Sequence, residues 1–181
     1  MTDLFSPYQL GSLTLANRFV MAPLTRNRAG TGEAPTGLAA EYYAQRAGAG
    51  LIISEGTQPS AVGQGYPHTP GLHTDEQVAG WTLVADAVHA QGGWIVAQLM
   101  HAGRISHEAI TGLRPVAPSE VTPAGEVYTE QGMKAFEAPR ALEAAELPGV
   151  IAEYVDAARR AVQAGLDGVE LHAANGYLLQ Q

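Results

Sequence analysis

Cysteine is absent from this 181-residue chain, and so are clustered positive charges and long apolar runs. Without cysteine there is no disulfide framework, no thiolate nucleophile and no thiolate metal site. No apolar run approaches the ~18 residues that a membrane span requires. The first residues also lack the basic and apolar regions of a signal peptide. We therefore expect a soluble, cytoplasmic protein.

The charge balance argues against nucleic acid and anionic membranes as partners. The chain has 18 acidic and 10 basic residues, a formal net charge of −8, and a single lysine, Lys134. Nucleic-acid binding rewards clustered positive charge, whereas the arginines here are scattered. Apolar residues make up 46% of the chain, which is enough for one domain with a hydrophobic core, and we expect a single domain over residues 1–181.

Four short apolar runs predict β-strands, at residues 18–24, 50–54, 94–99 and 168–171. Nearly continuous apolar character is typical of parallel strands that are covered on both faces. Helical patterns separate these runs at residues 37–46, 75–91 and 148–164. Thr74 and Gln77 have the spacing of a capping box. The third helix is expected to present one apolar stripe, formed by Ile151, Tyr154, Val155, Ala158, Ala161 and Val162.

The alternation of strands and helices predicts βαβ units and a parallel sheet. Residues 8–16 suggest a hairpin before the first sheet strand, and residues 104–147 form a long insertion after the third strand. The order is compatible with an open doubly wound sheet or with part of a (β/α)8 TIM barrel. A barrel needs ~250 residues, and this chain supplies about the first four βα units. We therefore predict the partial barrel.

Common catalytic signatures are missing from the sequence, which contains no G-x-G-x-x-G, Walker loop, G-x-S-x-G or H-E-x-x-H motif. A metal site formed by His101, His107 and His172 is left open as an alternative. Polar residues instead follow each predicted strand, and in barrels this rim carries the chemistry.

The fourth strand is followed by the most informative group. His172 and Asn175 are three residues apart, so that both can direct donors at one carbonyl or nitro oxygen. Tyr177 is a plausible proton donor near the same place. By the alternation of a strand, Glu170 faces the same side as His172. Such chemistry leaves the difficult step to a cofactor.

Five segments together resemble the Old Yellow Enzyme family of flavin-dependent ene-reductases, in family order and over essentially the whole chain. They are residues 17–26 (NRFVMAPLTR), 54–58 (SEGTQ), 71–74 (GLHT), 98–104 (QLMHAGR) and 170–179 (ELHAANGYLL). The resemblance implies a (β/α)8 barrel with tightly but non-covalently bound FMN, and NAD(P)H as reductant. It also implies reduction of the activated C=C bond of α,β-unsaturated carbonyl or nitro compounds.

The resemblance assigns roles to residues of this chain. Cofactor contacts are implied for Pro23, Leu24, Thr25, Gly56 and Gln98, with the Thr25 hydroxyl bonding the flavin O4. His172 and Asn175 are implied to hold the substrate oxygen, and Tyr177 to protonate the α-carbon. Tyr66 and Met100 are implied to line the substrate pocket, which Met100 widens because some family members have tryptophan there.

The family's later strands, which bring an arginine near flavin N1 and the loops that hold the FMN phosphate, lie beyond this sequence. The C-terminal half of the barrel is therefore an expected partner, and a homo-oligomer is possible. Two alternatives to an ene-reductase are kept: a non-catalytic half-barrel that needs a partner chain, and a metal-assisted barrel hydrolase.

Overall fold

The structure is a computed structural model that describes residues 3–181; Met1 and Thr2, which belong to the segment without signal-peptide features, lie outside it. None of the helices described is both long and apolar enough to cross a membrane. The strands are β1 (Tyr8–Leu10), β2 (Leu13–Leu15), β3 (Val20–Met21), β4 (Leu51–Thr57), β5 (Ile95–Leu99), β6 (Val116–Ala117), β7 (Glu126–Thr129), β8 (Gly132–Ala135), β9 (Arg140–Ala141) and β10 (Val169–Leu171). The α-helices are α1 (Gly37–Ala44), α2 (Asp75–His89), α3 (Glu108–Thr111) and α4 (Leu147–Gln163).

The main sheet has four parallel strands in the order β3-β4-β5-β10. Each strand therefore lies beside the one that precedes it in this series along the chain. Right-handed crossovers then place every connecting helix on the same face of the sheet, whereas a doubly wound sheet reverses its strand order and has helices on both faces. The sequential order is the winding of a barrel segment, as predicted.

The core fills the space between the sheet and its helices α1, α2 and α4. Its fully buried members include Ile52, Trp81, Val84, Leu99 and Ala161. Burying a side chain of this size contributes about 1.5–3 kcal/mol. The capping box of α2 is confirmed. The backbone N–H of Gln77 donates to the Thr74 hydroxyl over 3.2 Å, and the backbone N–H of Thr74 donates to the side-chain oxygen of Gln77.

A β-bulge near the end of β4 changes which side chains face the barrel interior. Ile53 pairs with Val96 and Gly56 with Gln98, so β4 advances three residues while β5 advances two. Ile52 packs on the helix side, and strict alternation would send Gly56 there as well. The extra residue reverses the alternation beyond the bulge, so that Gly56 faces the interior.

Helix α4 differs from the single apolar stripe expected. Its buried residues are Tyr154, Ala157 and Ala161, whereas Ile151 and Val162 are 63% and 69% exposed. On the neighbouring edge strand β10, Leu171 is 55% exposed on the same side. The stripe is wider than the sheet can cover, so α4 and β10 together present an apolar face that the described residues 3–181 leave uncovered.

The N-terminal hairpin is confirmed by the antiparallel pairing of β1 with β2. The insertion contains the short helix α3, the parallel pair β6 and β9, and the antiparallel hairpin of β7 and β8. The observed limits of two sheet strands differ from those predicted, because β3 is shorter and β4 extends further. Strand β3 has two residues rather than seven, because it pairs on one side only. Strand β4 continues through polar residues to Thr57, although its apolar run ends at Ile53.

Candidate active site

A cleft with a volume of about 460 Å³ opens at the carboxyl ends of the sheet strands. This volume lies within the range of small-molecule and cofactor sites, about 300–1,000 Å³. It is lined by the segment after β3, by the carboxyl-terminal ends of β4, β5 and β10, and by residues that follow β5 and β10. The lining residues are Pro23, Thr25, Gly56, Gln98, Met100, Glu170, Leu171, His172, Ala173, Ala174, Asn175 and Tyr177.

Gly56 and Met100 form one wall of the cleft. A Cβ atom built on Gly56 would lie 2.8 Å from the Met100 Sδ atom, so the methionine side chain occupies the space beside the bare glycine backbone. Pro23 and Thr25 lie on the segment that follows β3. Leu24 sits between them but is 61% exposed and does not line the cleft.

Gln98 and Glu170 join strands β5 and β10 across the cleft. They occupy paired register positions, and the Gln98 Nε2 atom donates to Glu170 Oε1 over 2.8 Å. This bond fixes which end of the Gln98 amide faces Glu170, and leaves the Gln98 oxygen as an acceptor. The parity argument correctly placed Glu170 beside His172, and its carboxylate finds its partner within this chain.

His172 and Asn175 are brought together by a tight turn after β10. Asn175 has a φ of 56°, a left-handed conformation that asparagine tolerates better than most residues. The Ala174 amide donates to His172 Nδ1 over 3.3 Å. The imidazole proton is thereby assigned to Nε2, so that His172 can act as a neutral donor.

Two phenols meet at the outer end of the cleft. The hydroxyls of Tyr66 and Tyr177 are 2.9 Å apart, and the Tyr177 ring packs edge-on against the His172 ring, with centroids separated by 4.9 Å. Burial and the Tyr177 hydroxyl raise the pKa of Tyr66 well above its usual value. Tyr66 is therefore a neutral partner to Tyr177, although it lies outside the lining of the cleft.

The charge of the cleft is unbalanced. Glu170 is the only aspartate or glutamate among its lining residues, and within the described residues 3–181 no lysine or arginine lines it. A phosphate group gains its strongest contacts from charge-assisted donors. The described part of the chain thus provides donors for a polar ring system, but no cation for a phosphate.

The three histidines considered as a metal site do not come together. His101, His107 and His172 each use Nδ1 to accept a backbone amide two residues ahead. No group of three metal-binding side chains occurs within residues 3–181. Burial lowers the pKa of His101 to about 4, so this side chain is neutral near pH 7 and is not an acid there.

One buried carboxylate next to the cleft was missed as a functional residue. Glu55 is 5% exposed and faces the helices rather than the cleft, where Tyr43 of α1 contacts it. Burial raises the pKa of Glu55 above its usual value, and the Arg26 amide opposes this shift. The available signal was a charged residue within an otherwise buried strand, which is rare unless the charge has a partner.

Comparison with known proteins agrees with this geometry. The chain is 43% identical to 12-oxophytodienoate reductase 7 of Oryza sativa subsp. japonica, over 98% of this chain and 46% of that protein. It is 44% identical to chanoclavine-I aldehyde reductase of Penicillium roqueforti, over 100% of this chain and 48% of the relative. The chain therefore spans about half the length of the curated relatives it matches.

Solved structures give the same result. The old yellow enzyme homologue from Zymomonas mobilis superposes with a TM-score of 0.95 at 50% identity, over 97% of this chain and 49% of that one. Morphinone reductase superposes with a TM-score of 0.91 at 51% identity, with the same coverage. Both are (β/α)8 barrels, of which this chain matches about half. The model of the NADH:flavin oxidoreductase / NADH oxidase family matches residues 3–181, and the chain belongs to that family.

Proposed function

We propose that this chain forms the substrate-binding half of an FMN-dependent ene-reductase, which reduces the C=C bond of α,β-unsaturated carbonyl or nitro compounds with NAD(P)H. The observation that carries the proposal is the convergence of His172, Asn175 and Tyr177 on one cleft, opposite Thr25 and Gly56. Two neutral donors and a phenol suit an uncharged, polarised substrate. They provide neither a nucleophile nor a metal site.

The cleft fits a flat ring system with polar edges. Pro23, Gly56 and Ala173 give it small, flat surfaces, and a Cβ at Gly56 would displace Met100 towards the space where the ring would lie. Thr25 would donate to the flavin O4, and the Gln98 oxygen would accept from the ring N–H on the pyrimidine side. Bound non-covalently in this cleft, FMN would supply the two-electron hydride chemistry that links oxidation of NAD(P)H to reduction of the substrate at its β-carbon.

His172 and Asn175 would hold the carbonyl or nitro oxygen of the substrate. Both are neutral donors, and negative charge grows on that oxygen as the C=C bond is reduced. Fixed donors in a cleft shielded from water stabilise such charge. Met100 would bound the space next to the held oxygen. Tyr66, which lies outside the lining of the cleft, would influence substrate shape through its 2.9 Å contact with Tyr177.

Tyr177 would give the proton that completes the reduction. Its hydroxyl transfers H⁺ to the α-carbon, so that one hydride and one proton add across the double bond. The Tyr66 hydroxyl, 2.9 Å away, would donate to the Tyr177 oxygen once that proton has left. Tyr66 remains protonated because its pKa is raised.

The remaining half of the barrel would come from the C-terminal residues that the relatives possess. It would cover the apolar face of α4 and β10 and supply cations for the FMN phosphate. A cytoplasmic location would suit this activity, since that compartment provides NAD(P)H. In the alternative, a non-catalytic half-barrel, the chain would still need the C-terminal half as its partner but would not reduce a substrate.

The test uses a completed barrel, which we define as this chain joined to the C-terminal half of the Zymomonas mobilis homologue. Its absorbance should show flavin bands between about 350 and 500 nm. It should also oxidise NAD(P)H in the absence of oxygen only when an enone or a nitroalkene is added, with the saturated product formed in equal amount. A flavin-loaded barrel that reduces neither substrate would contradict the proposal.

We call His172 and Asn175 the oxygen clamp, because the oxygen of a phenol-type ligand would sit between them. Loss of either side chain should weaken the binding of such ligands. Alanine at either position should cost about 1.5–3 kcal/mol of binding, the usual worth of a hydrogen bond to a charged group. Titration of the flavin absorbance with a phenol measures this change. His107→Ala, which alters a histidine outside the cleft, is the control, and unchanged affinity in both clamp variants would remove the role.

A further inference from the structure

Glu55 contacts the segment that carries Thr25, although it lies on the opposite side of strand β4 from the cleft. Its Oε2 atom accepts the backbone N–H of Arg26 over 2.9 Å. The β4 bulge is what turns Glu55 away from the interior and presents Gly56 there instead. The adjacent residues Glu55 and Gly56 of β4 thus face opposite sides of the sheet, Glu55 towards the helices and Gly56 towards the cleft.

The hydrogen bond is made to the backbone N–H of Arg26, and the positive charge of the Arg26 guanidinium also counteracts the raised pKa of Glu55. The Arg26 guanidinium lies over the Tyr42 ring, 3.0 Å from its centroid. The carboxylate therefore holds the peptide unit that joins Thr25 to Arg26. Because a peptide unit is planar, holding the direction of its N–H restrains the ψ angle of Thr25, and with it the backbone position from which the Thr25 side chain projects.

The position of Glu55 is itself fixed by Tyr43, a core residue of α1. The Tyr43 hydroxyl accepts the Glu55 backbone amide over 2.9 Å and lies 3.5 Å from Glu55 Oε1. Tyr43 is 1% exposed and belongs to the core under α1. The chain of contacts therefore runs from the core through Tyr43 and Glu55 to the peptide beside Thr25.

The Thr25 segment depends on this contact because it lacks regular structure. Residues 22–30 form neither helix nor strand. Two further hydrogen bonds hold the segment. The Asn27 side chain donates to the Pro67 carbonyl, and the backbone N–H of Ala29 donates to the His68 carbonyl. Both hold the far end of the segment, towards the loop that contains Tyr66, and the Glu55 bond is the one adjacent to Thr25.

We propose that Glu55 is a positioning residue, which holds the Thr25 hydroxyl against the flavin through the Arg26 amide. This inference rests on the proposed function, because it takes Thr25 to be a flavin contact. A hydroxyl donated to the flavin O4 favours the reduced, electron-rich ring. Glu55 therefore acts on the reduction potential of the flavin without touching it.

The experiment compares variants of the completed barrel by flavin midpoint potential. Thr25→Ala should lower the potential, and Glu55→Ala should lower it in the same direction. The double variant should show no further change, because both substitutions remove one interaction. Glu55→Gln should keep the potential of the parent, since its amide oxygen can still accept the Arg26 N–H while the Tyr43 hydroxyl accepts its NH₂ group.

Hydrogen exchange supplies a readout that does not depend on activity. In Glu55→Ala the amide of Arg26 should exchange roughly 10- to 100-fold faster, as expected for the loss of a bond to a charged group, whereas Glu55→Gln should protect it. An additive double variant, or a Glu55→Ala protein with unchanged potential and exchange, overturns the inference. If Thr25→Ala leaves the potential unchanged, the proposed flavin contact fails instead, and exchange alone still shows whether Glu55 holds the turn.

Discussion

Replacing Tyr177 by phenylalanine in the completed barrel should slow alkene reduction by about 100- to 10,000-fold, the usual contribution of a positioned general acid. The reduction of bound flavin by NAD(P)H should keep its rate, because that step transfers a hydride and needs no proton from Tyr177. Rapid-mixing measurements of the two half-reactions separate these effects. The phenylalanine ring preserves the edge-on contact with His172, so the variant removes the proton and little else.

Tyr66→Phe is the matched control for this experiment. It removes the other hydroxyl of the 2.9 Å pair and leaves the proton of Tyr177 in place. We expect alkene reduction to slow less than in Tyr177→Phe. A Tyr177→Phe enzyme that is slowed equally in both half-reactions would show that Tyr177 supports the shape of the cleft and does not donate the proton.

Expressed alone, the 181-residue chain should lose FMN on gel filtration and should not run as a compact monomer. The lining of the cleft has no lysine or arginine for the phosphate within residues 3–181, so only the proposed ring contacts of Thr25, Gly56 and Gln98 would hold FMN. Charge-assisted bonds to phosphate are among the strongest that a site makes. The uncovered apolar face of α4 and β10 adds a second defect, because large exposed apolar patches favour association, and β10 is also an edge strand that can pair with another chain.

FMN titration together with light scattering measures both properties. Adding the C-terminal half, as a separate chain or in the completed barrel, should restore flavin binding and a compact size. Paired substitutions of Ile151 and Val162 by serine are informative here, since both side chains are exposed in this chain. They should reduce self-association of the isolated chain without restoring FMN. A monomer that holds one FMN per chain would contradict the prediction.

Sequence patterns predicted most of the fold because its parallel strands and helices carry strong, regular periodicities. The capping box of Thr74 and Gln77 and the limits of α2 and α4, within two residues, follow from local chemistry. The strand order observed in the structure was needed to distinguish a barrel segment from a doubly wound sheet. Family motifs then named the residues of the cleft, and the structure brings Thr25, Gly56, Gln98, Met100, His172, Asn175 and Tyr177 together there.

The errors have a common physical origin in tertiary context. The apolar run of β4 ends at Ile53, yet the strand continues to Thr57 because the bulge lets Glu55 reach Tyr43. The stripe on α4 is real, but Ile151 and Val162 are mostly exposed among the described residues 3–181. Periodicity reports that a face is apolar and cannot say what covers it. The exposure of Leu24, between two residues of the cleft, likewise depends on a segment without periodicity.

The sequential strand order has a consequence for how the protein is made. Strands β3, β4, β5 and β10 pair in the order in which a ribosome delivers them, and together with α1, α2 and α4 they already enclose one hydrophobic core. Domains can fold from the N-terminus during synthesis. In the proposed full barrel, the nascent chain would therefore assemble this half first, and the edge of β10 would pair with the next strand to be made. Closure onto β3 would be the last event, and the proposed FMN site would be complete only then.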